Sequence, residues 1–128
     1  MIYTSYFGNL KNLPPSIIPI SICGKAPVWY NGLQYKQLAP KWSFFKVWKE
    51  NNDNDYYIKH FNDEVLSKLQ QTHVVADLHH LCDKCIYENL DVALICYEKP
   101  DDFCHRHLVA QWLIDGGYEC EEYNYETV

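Results

Sequence analysis

The sequence is poor in arginine, methionine and glycine, and it has no long hydrophobic run. One of its 128 residues is an arginine, Arg106, and ten lysines carry the rest of the positive charge. It has neither the apolar run of about 18 residues that a membrane-spanning helix needs nor the charged-then-apolar leader of a signal peptide. We therefore expect a cytoplasmic protein without a membrane partner.

Positive charge is also too sparse for a nucleic-acid-binding surface. The formal net charge is −6, the isoelectric point is about 5.4 and the lysines are scattered along the chain. Binding to a phosphate backbone depends on clustered lysine and arginine side chains that displace counterions. The composition therefore excludes DNA and RNA from the expected partners.

The order of apolar segments predicts a single α/β domain over residues 1–128. Composition and apolar runs predict strands at residues 2–7, 16–24, 91–97 and 118–123. Apolar periodicity predicts helices at residues 40–50, 52–71, 72–82 and 102–115, with Thr72 and either Asp101 or Asp102 as caps. These elements favour a three-layer, mostly parallel open sheet with flanking helices (Rossmann-like), and the glutamates of the last strand place it at an edge.

Residues 25–40 combine proline, glycine and asparagine with several aromatic side chains and show no helical or strand period, which predicts a loop. Loops that follow strands often carry binding residues. The candidate ligand contacts in or near this loop are Lys25, Trp29, Tyr30, Tyr35, Trp42 and Tyr6. We interpret the aromatic rings as surfaces for stacking on a ligand base, and packing in the core is the alternative for any one ring.

Arg106 falls in the first turn of the predicted helix 102–115. Helical spacing places it on the same face as Val109, which should pack on the sheet beside the carboxyl end of the preceding strand. An inward guanidinium needs a counter-charge. That counter-charge is either a protein carboxylate, such as Glu98 or Asp101, or an anionic ligand held with the free N–H groups of the helix start.

Candidate catalytic side chains surround the same arginine. They are Cys96, Glu98 and Cys104, and His105 is a further candidate ligand contact. A cysteine between a strand end, a helix start and an arginine readily forms a thiolate nucleophile. The alternative is that both cysteines are small buried hydrophobic residues.

The six cysteines are expected to be thiols or metal ligands in a reducing compartment rather than disulfides. Cys82 and Cys85 form a Cys-x2-Cys pair, which Cys96 and Cys104 continue along the chain. Additional donors are His79, His80, His105 and His107, and a tetrahedral zinc site would take four of these side chains. Because Cys96 lies on a predicted core strand and Cys82 closes a helix that need not lie nearby, we expect no metal and no other cofactor. Cys82 and Cys85 are the weak candidates.

The segment "LICYEKPDDFCHRHLVAQWL" resembles the domain-of-unknown-function family 488. The hallmark of that family is a strand followed by Cys-x-Glu-Lys, then Cys-His-Arg at a helix start; it is matched here by Cys96, Glu98, Lys99, Cys104, His105 and Arg106. The resemblance covers most of the chain, and the chain is similar to the shorter, often phage-encoded members of the family. Many members carry Gly-His-Ser after the first strand, where this chain has Ser5-Tyr6-Phe7-Gly8, and an arginine after the second strand, where Lys25 is the nearest basic residue. The resemblance implies an α/β fold with a pocket at the Cys-His-Arg turn, and it implies no particular reaction.

Two main functions follow as expectations. The first is binding of a small anionic, nucleotide-like ligand, with Arg106 and His105 on phosphate and aromatic rings on a base. In a phage-encoded protein this would sequester a nucleotide immune signal in the host cytoplasm. The second is an enzyme acting on a nucleotide or phosphoester through the 96–106 segment. A protein–protein inhibitor is a third alternative, and the sequence leaves a homo-oligomer open.

Overall fold

A computed structural model of the chain describes residues 1–124, and the last residues of the predicted domain, 125–128, lie outside that range. Within the described residues one sheet contains β1 (Ile2–Tyr6), β2 (Ile18–Ser21), β3 (Leu33–Gln34), β4 (Val92–Cys96) and β5 (Cys120–Glu122). The strand order is β3-β2-β4-β1-β5, and every neighbouring pair is parallel. The predicted three-layer α/β architecture is confirmed, and β5 lies at an edge as expected.

The helices are α1 (Trp42–Asn51), α2 (Asn54–Glu64), α3 (Gln71–Leu81) and α4 (His105–Asp115). The predicted helix 52–71 is too long, because the α-helix ends at Glu64 and the chain continues as a short 3₁₀ helix that buries Leu66. The predicted cap Thr72 is wrong, since α3 begins one residue earlier and its N-cap is Gln70. Among residues 1–124 we find no helix with the length and apolar character needed to cross a membrane.

The predicted loop 25–40 contains the short strand β3, which sequence reasoning missed. Two residues are too few to show a strand period, and β3 is defined instead by its pairing with β2. The backbone N–H of Tyr35 continues this pairing by donating to the carbonyl of Ser21 at 2.8 Å. β2, with four residues, is shorter than the predicted strand 16–24.

The start of α4 differs from the prediction in a way that matters for the site. The helix begins at His105 rather than at residue 102, and its N-cap is Cys104, which has extended backbone angles (φ −152°, ψ 143°). Asp101 and Asp102 are therefore not caps. The chain makes a turn at Lys99–Asp102, and the Phe103 ring that follows packs against Tyr57 and Trp48 at centroid distances of 5.0 and 5.6 Å.

The core is organised around β4, all of whose residues are buried. Val92 and Leu94 pack with side chains of the four helices, whereas Ala93 and Ile95 belong to a second cluster that includes Phe7. This alternation is what a parallel strand buried on both faces requires. Since α4 follows β4, its first turn lies at the carboxyl end of this central strand.

Candidate functional site

A cavity of about 700 Å³ opens beyond the carboxyl ends of β2 and β4, which are neighbours in the sheet. Its walls come from the segments after these two strands, from α1, from Tyr57 on α2, and from the turn before α4 and the first residue of that helix. This is where ligands bind in open parallel sheets, and the volume lies within the range of about 300 to 1,000 Å³ that is usual for small-molecule sites.

Most of the cavity wall is aromatic. The rings that line it belong to Trp42, Phe45, Trp48, Tyr57, Tyr97 and Phe103. Trp48 is central to this aromatic wall, because its ring centroid lies 5.9 Å from that of Phe45, 5.7 Å from that of Tyr57 and 5.6 Å from that of Phe103. Its indole N–H donates to Asn54 Oδ1 at 2.8 Å, which fixes the ring plane. The wall is therefore an ordered, largely apolar surface.

Charged side chains at the mouth of the cavity have mixed sign. Lys25 and Lys49 are exposed, and Glu98 is half-buried. Lys49 Nζ lies 5.4 Å above the ring of Phe45, which draws its charge over the aromatic wall. The hydroxyl of Tyr97 donates to the carbonyl of Lys25 at 2.6 Å and so connects the segments after β2 and β4.

The floor of the cavity carries sulfur and nitrogen atoms. Cys96 and Cys104 form a disulfide bond in the structure, so the expectation that no cysteines are disulfide-bonded is wrong for this pair. The last residue of β4 and the N-cap of α4 lie side by side where the central strand ends, which brings the two sulfur atoms together. Cys23 also lines the cavity, and burial raises the pKa of its thiol to about 11.

His105 lies beside this pair with both ring nitrogens in defined surroundings. Nε2 lies 2.8 Å from the carbonyl oxygen of Ile22, and Nδ1 lies 3.9 Å from Cys104 Sγ. Burial lowers the pKa of His105 to about 4, with the Arg106 charge acting in the same direction. The imidazole is therefore neutral at neutral pH, with the proton on Nε2 and the lone pair of Nδ1 directed towards sulfur.

Arg106 is fully buried, as the helical spacing predicts, and its charge is paired within the protein. Its Nε and Nη2 donate to the two carboxylate oxygens of Glu122 at 3.0 and 2.9 Å. Its Nη1 donates to the carbonyl of Glu98 at 2.6 Å and to Cys96 Sγ at 3.1 Å. Of the two alternatives left open by the sequence, the structure shows a protein carboxylate, although it is neither of the two named in advance.

Glu122 is a residue that sequence reasoning missed. It lies on β5 and also accepts a hydrogen bond of 2.7 Å from the hydroxyl of Thr4 on β1. The predicted edge strand contains several glutamates, and a strand of three residues is too short for alternation to show which one faces α4. The signal available was the strand–helix–strand order, which places α4 next to the strand that follows it.

The other aromatic candidates lie in different surroundings. Trp29 and Tyr30 pack around Phe7, with centroid distances of 5.9 and 5.4 Å. Tyr35 is buried and donates to Asp77 Oδ2 at 2.6 Å, and its burial raises the pKa of its hydroxyl. The ring of Tyr6 lies 5.8 Å from the guanidinium of Arg106. Tyr30, Tyr35 and Tyr6 thus have contacts within the protein, whereas Trp29 stays 61% exposed beside Phe7.

The predicted candidates thus divide into two groups. The side chains that line the cavity are Lys25, Trp42, Cys96, Glu98, Cys104 and His105, whereas Trp29, Tyr30, Tyr35, Tyr6 and Arg106 are not among its lining residues. Sequence reasoning missed Cys23, Phe45, Trp48, Lys49, Tyr57, Tyr97 and Phe103 as lining residues.

The proposed Cys-x2-Cys pair lies at the end of α3, where Cys82 is half-buried and Cys85 is exposed. Within residues 1–124, potential ligand atoms cluster instead at Cys96, Cys104 and His105, whose sulfur and ring nitrogen atoms lie within 4.8 Å of one another.

A family model described as "Active DUF488-N3 subclade" matches residues 12–117 of the chain. The chain belongs to this family. The matched residues include β4, the disulfide pair and the start of α4, while β1 and Glu122 on β5 fall outside them. Comparison with curated proteins and with solved structures gave no match.

Proposed function

We propose that the cavity binds a small anionic ligand derived from a nucleotide. The observation that carries this proposal is the aromatic wall centred on Trp48, placed beyond the carboxyl ends of two adjacent parallel strands. A flat heteroaromatic base stacks favourably on such rings, and stacking contributes about 1 to 3 kcal/mol per base. The size of the cavity suits a molecule of nucleotide size.

Lys25 and Lys49, rather than Arg106, would contact the anionic part of the ligand. Both lysines are exposed at the mouth of the cavity, where they can neutralise charge without breaking an ion pair among the described residues. Arg106 would have to give up a carboxylate, a carbonyl and a sulfur contact to reach a ligand. Its role in this proposal is to hold α4, β4 and β5 together behind the cavity.

In a phage-encoded protein, the same binding would sequester a nucleotide immune signal of the host cytoplasm. This step rests on the short, phage-type resemblance and on the choice of a nucleotide-derived ligand, and it assigns the protein to the cytoplasm. A binding protein of this kind must hold its ligand without converting it. The fate of the ligand therefore separates this proposal from catalysis.

A thermal-shift screen tests the binding proposal. The panel consists of ADP-ribose, cyclic AMP, cyclic GMP and cyclic dinucleotides at millimolar concentration. A ligand present at about a hundred times its dissociation constant stabilises the folded state by about 2.7 kcal/mol, which is a readily measured rise in melting temperature. If no compound of the panel raises it, the proposal is wrong for this class of ligand.

Two tryptophan variants provide a matched comparison. Trp48→Ala removes the centre of the aromatic wall and should abolish the thermal shift. Trp29→Ala truncates a tryptophan that is 61% exposed and packs on Phe7, so it should leave the shift intact. A loss of the shift in Trp29→Ala, with the shift retained in Trp48→Ala, would place the ligand beside Trp29 and contradict the proposal.

Catalysis on a nucleotide or phosphoester is a second candidate, favoured by the chemistry of the cavity floor. Arg106 Nη1 donates to Cys96 Sγ and so stabilises negative charge there, and the lone pair of His105 faces Cys104. The family model is itself described as an active subclade. With Cys96 or Cys104 as nucleophile, this function needs the reduced cysteine pair, because a disulfide holds neither a thiol nor a thiolate. Glu98 as base or nucleophile is the alternative that does not need it.

Turnover distinguishes the two functions. With reduced protein, Cys104→Ser and Glu98→Gln should abolish conversion of a bound nucleotide while sparing its binding, if the protein is an enzyme. Recovery of unmodified ligand after overnight incubation with reduced wild type supports a binding protein instead. The third alternative, a protein–protein inhibitor, would have been favoured by the lack of a concave pocket, whereas a cavity of about 700 Å³ is present.

A further inference from the structure

Three side chains with metal-binding atoms converge at the floor of the cavity. Cys96 is the last residue of β4, Cys104 is the N-cap of α4 and His105 is the first residue of that helix. Their sulfur and ring nitrogen atoms lie within 4.8 Å of one another, and the residues are only 1%, 6% and 6% exposed. The backbone at the sheet edge therefore brings together two soft sulfur atoms and one imidazole nitrogen.

The orientation of His105 suits a ligand that binds through Nδ1. A carbonyl oxygen only accepts hydrogen bonds, so Nε2, at 2.8 Å from the carbonyl of Ile22, carries the proton of the neutral ring. Nδ1 then presents its lone pair on the side of Cys104 Sγ, 3.9 Å away. Histidines that bind metals usually donate their other N–H to a carbonyl or carboxylate in this way, which fixes both tautomer and ring plane.

The surroundings of the sulfur atoms also fit thiolate ligands. Arg106 Nη1 donates to Cys96 Sγ at 3.1 Å, and such a donor stabilises a sulfur that carries negative charge. The guanidinium charge is itself balanced by Glu122, so it adds little net positive charge beside a cation. Two thiolates, a neutral imidazole and a divalent cation together have no net charge, which limits the cost of burial.

We propose that, with both cysteines reduced, Cys96, Cys104 and His105 bind one soft divalent cation of the zinc class. Two sulfur ligands and one imidazole favour zinc over magnesium or calcium, which prefer oxygen ligands. All three residues line the cavity, so a fourth coordination position would face it and be open to water or to a bound molecule. Three protein ligands with one open position is the arrangement of catalytic rather than structural zinc sites.

The disulfide and the metal exclude each other, because only thiolates act as ligands. A phosphine reductant converts the Cys96–Cys104 disulfide and one water into two thiols and a phosphine oxide. The site is thus available in the reduced protein and absent from the oxidised one. This inference does not depend on which organic ligand occupies the rest of the cavity.

Cobalt(II) titration of the phosphine-reduced, desalted protein under nitrogen tests the proposal. We expect one equivalent of cobalt to bind, with a thiolate-to-cobalt charge-transfer band in the near ultraviolet and visible bands of a tetrahedral ion. Zinc should displace it. The absence of a charge-transfer band in the reduced protein, or an equal band in the oxidised protein, would overturn the proposal.

Variants locate the site. Cys104→Ser and His105→Asn should lower cobalt affinity at least a hundredfold, with folding checked by circular dichroism. The matched control is the double variant Cys82→Ser, Cys85→Ser, which removes the Cys-x2-Cys pair at the end of α3 and should bind cobalt as the wild type does. If that control loses the band while Cys104→Ser keeps it, the metal binds at α3 and the proposal is wrong.

If a variant fails to fold, chemical labelling of the wild-type protein tests the same proposal. In reduced wild type, zinc should slow alkylation of Cys104 by iodoacetamide at least tenfold, read by mass spectrometry, and leave the exposed Cys85 unchanged. Equal labelling of Cys104 with and without zinc would count against the site.

Discussion

His105 and Arg106, the first two residues of α4, have side chains in different surroundings. Arg106 points to the sheet and has its charge paired with Glu122, with additional contacts to the carbonyl of Glu98 and to Cys96. His105 lines the cavity and retains a lone pair on Nδ1. The comparison shows that an inward arginine at a helix start can have a structural role, while the residue before it lines the cavity.

The pairing of Arg106 gives the largest expected effect. Arg106→Met would leave the carboxylate of Glu122, whose side chain is 24% exposed, without its partner. Removing one member of a buried ion pair costs about 3 to 5 kcal/mol, so the free energy of unfolding in urea should fall by that amount. Lys59→Met, which breaks an exposed ion pair on α2, is the control and should leave unfolding unchanged within error.

A double variant sharpens the same point. Arg106→Met combined with Glu122→Met should be less destabilising than the sum of the two single changes, with a coupling energy of about 1 to 3 kcal/mol. Additive effects would mean that the two side chains do not act as a pair in solution, and Arg106 would then be free to contact a ligand.

Lysine variants at the cavity mouth should have a smaller effect, on binding rather than on folding. Lys25→Ala and Lys49→Ala should each raise the dissociation constant of the nucleotide giving the largest thermal shift by about threefold to tenfold. The loss should shrink at high salt because exposed charges are screened. Titration calorimetry measures the dissociation constant and its salt dependence, with Lys59→Ala as the control. Unchanged affinity in both cavity variants would remove the lysines from the anion site.

Thiol reactivity tests burial at the floor of the cavity, which Cys23 lines. The pKa of Cys23 is raised to about 11 by burial, so at pH 8 only about 0.1% of it is thiolate. Iodoacetamide should therefore label Cys23 at least tenfold more slowly than the exposed Cys85, and its rate should rise as the pH approaches 11. Peptide mass spectrometry over a time course measures both rates, and equal rates at pH 8 would show that Cys23 is not buried.

The sequence predicts those features that depend on a regular period. The apolar run of β4 predicts a buried parallel strand, and the spacing of Arg106 and Val109 predicts the inward face of α4. Glu122 could not be singled out as the partner of Arg106, because three edge-strand residues do not establish a face. The family hallmark likewise draws attention to Arg106, although its neighbours Cys104 and His105 line the cavity.

The composition of the cavity wall was less predictable than its position. The strand ends predict an opening after β2 and β4, but Trp48 and Phe103 come together only through tertiary contact between α1 and the turn before α4. Trp29 and Tyr30 lie in an aromatic-rich loop that suggests a ligand surface, and they pack on Phe7 instead. The disulfide pair was missed because it depends on α4 beginning at His105 rather than at residue 102.

Side-chain N–H resonances in a nitrogen–proton correlation spectrum test the central claim most directly. The sequence has one arginine and four tryptophans, so Arg106 Nε–H and each indole N–H can be assigned with single variants. On addition of the nucleotide that gives the largest thermal shift, the signals of Trp48 and Trp42 should move, while those of Arg106 and Trp29 should stay in place. Movement of the Arg106 signal without that of Trp48 would contradict the account.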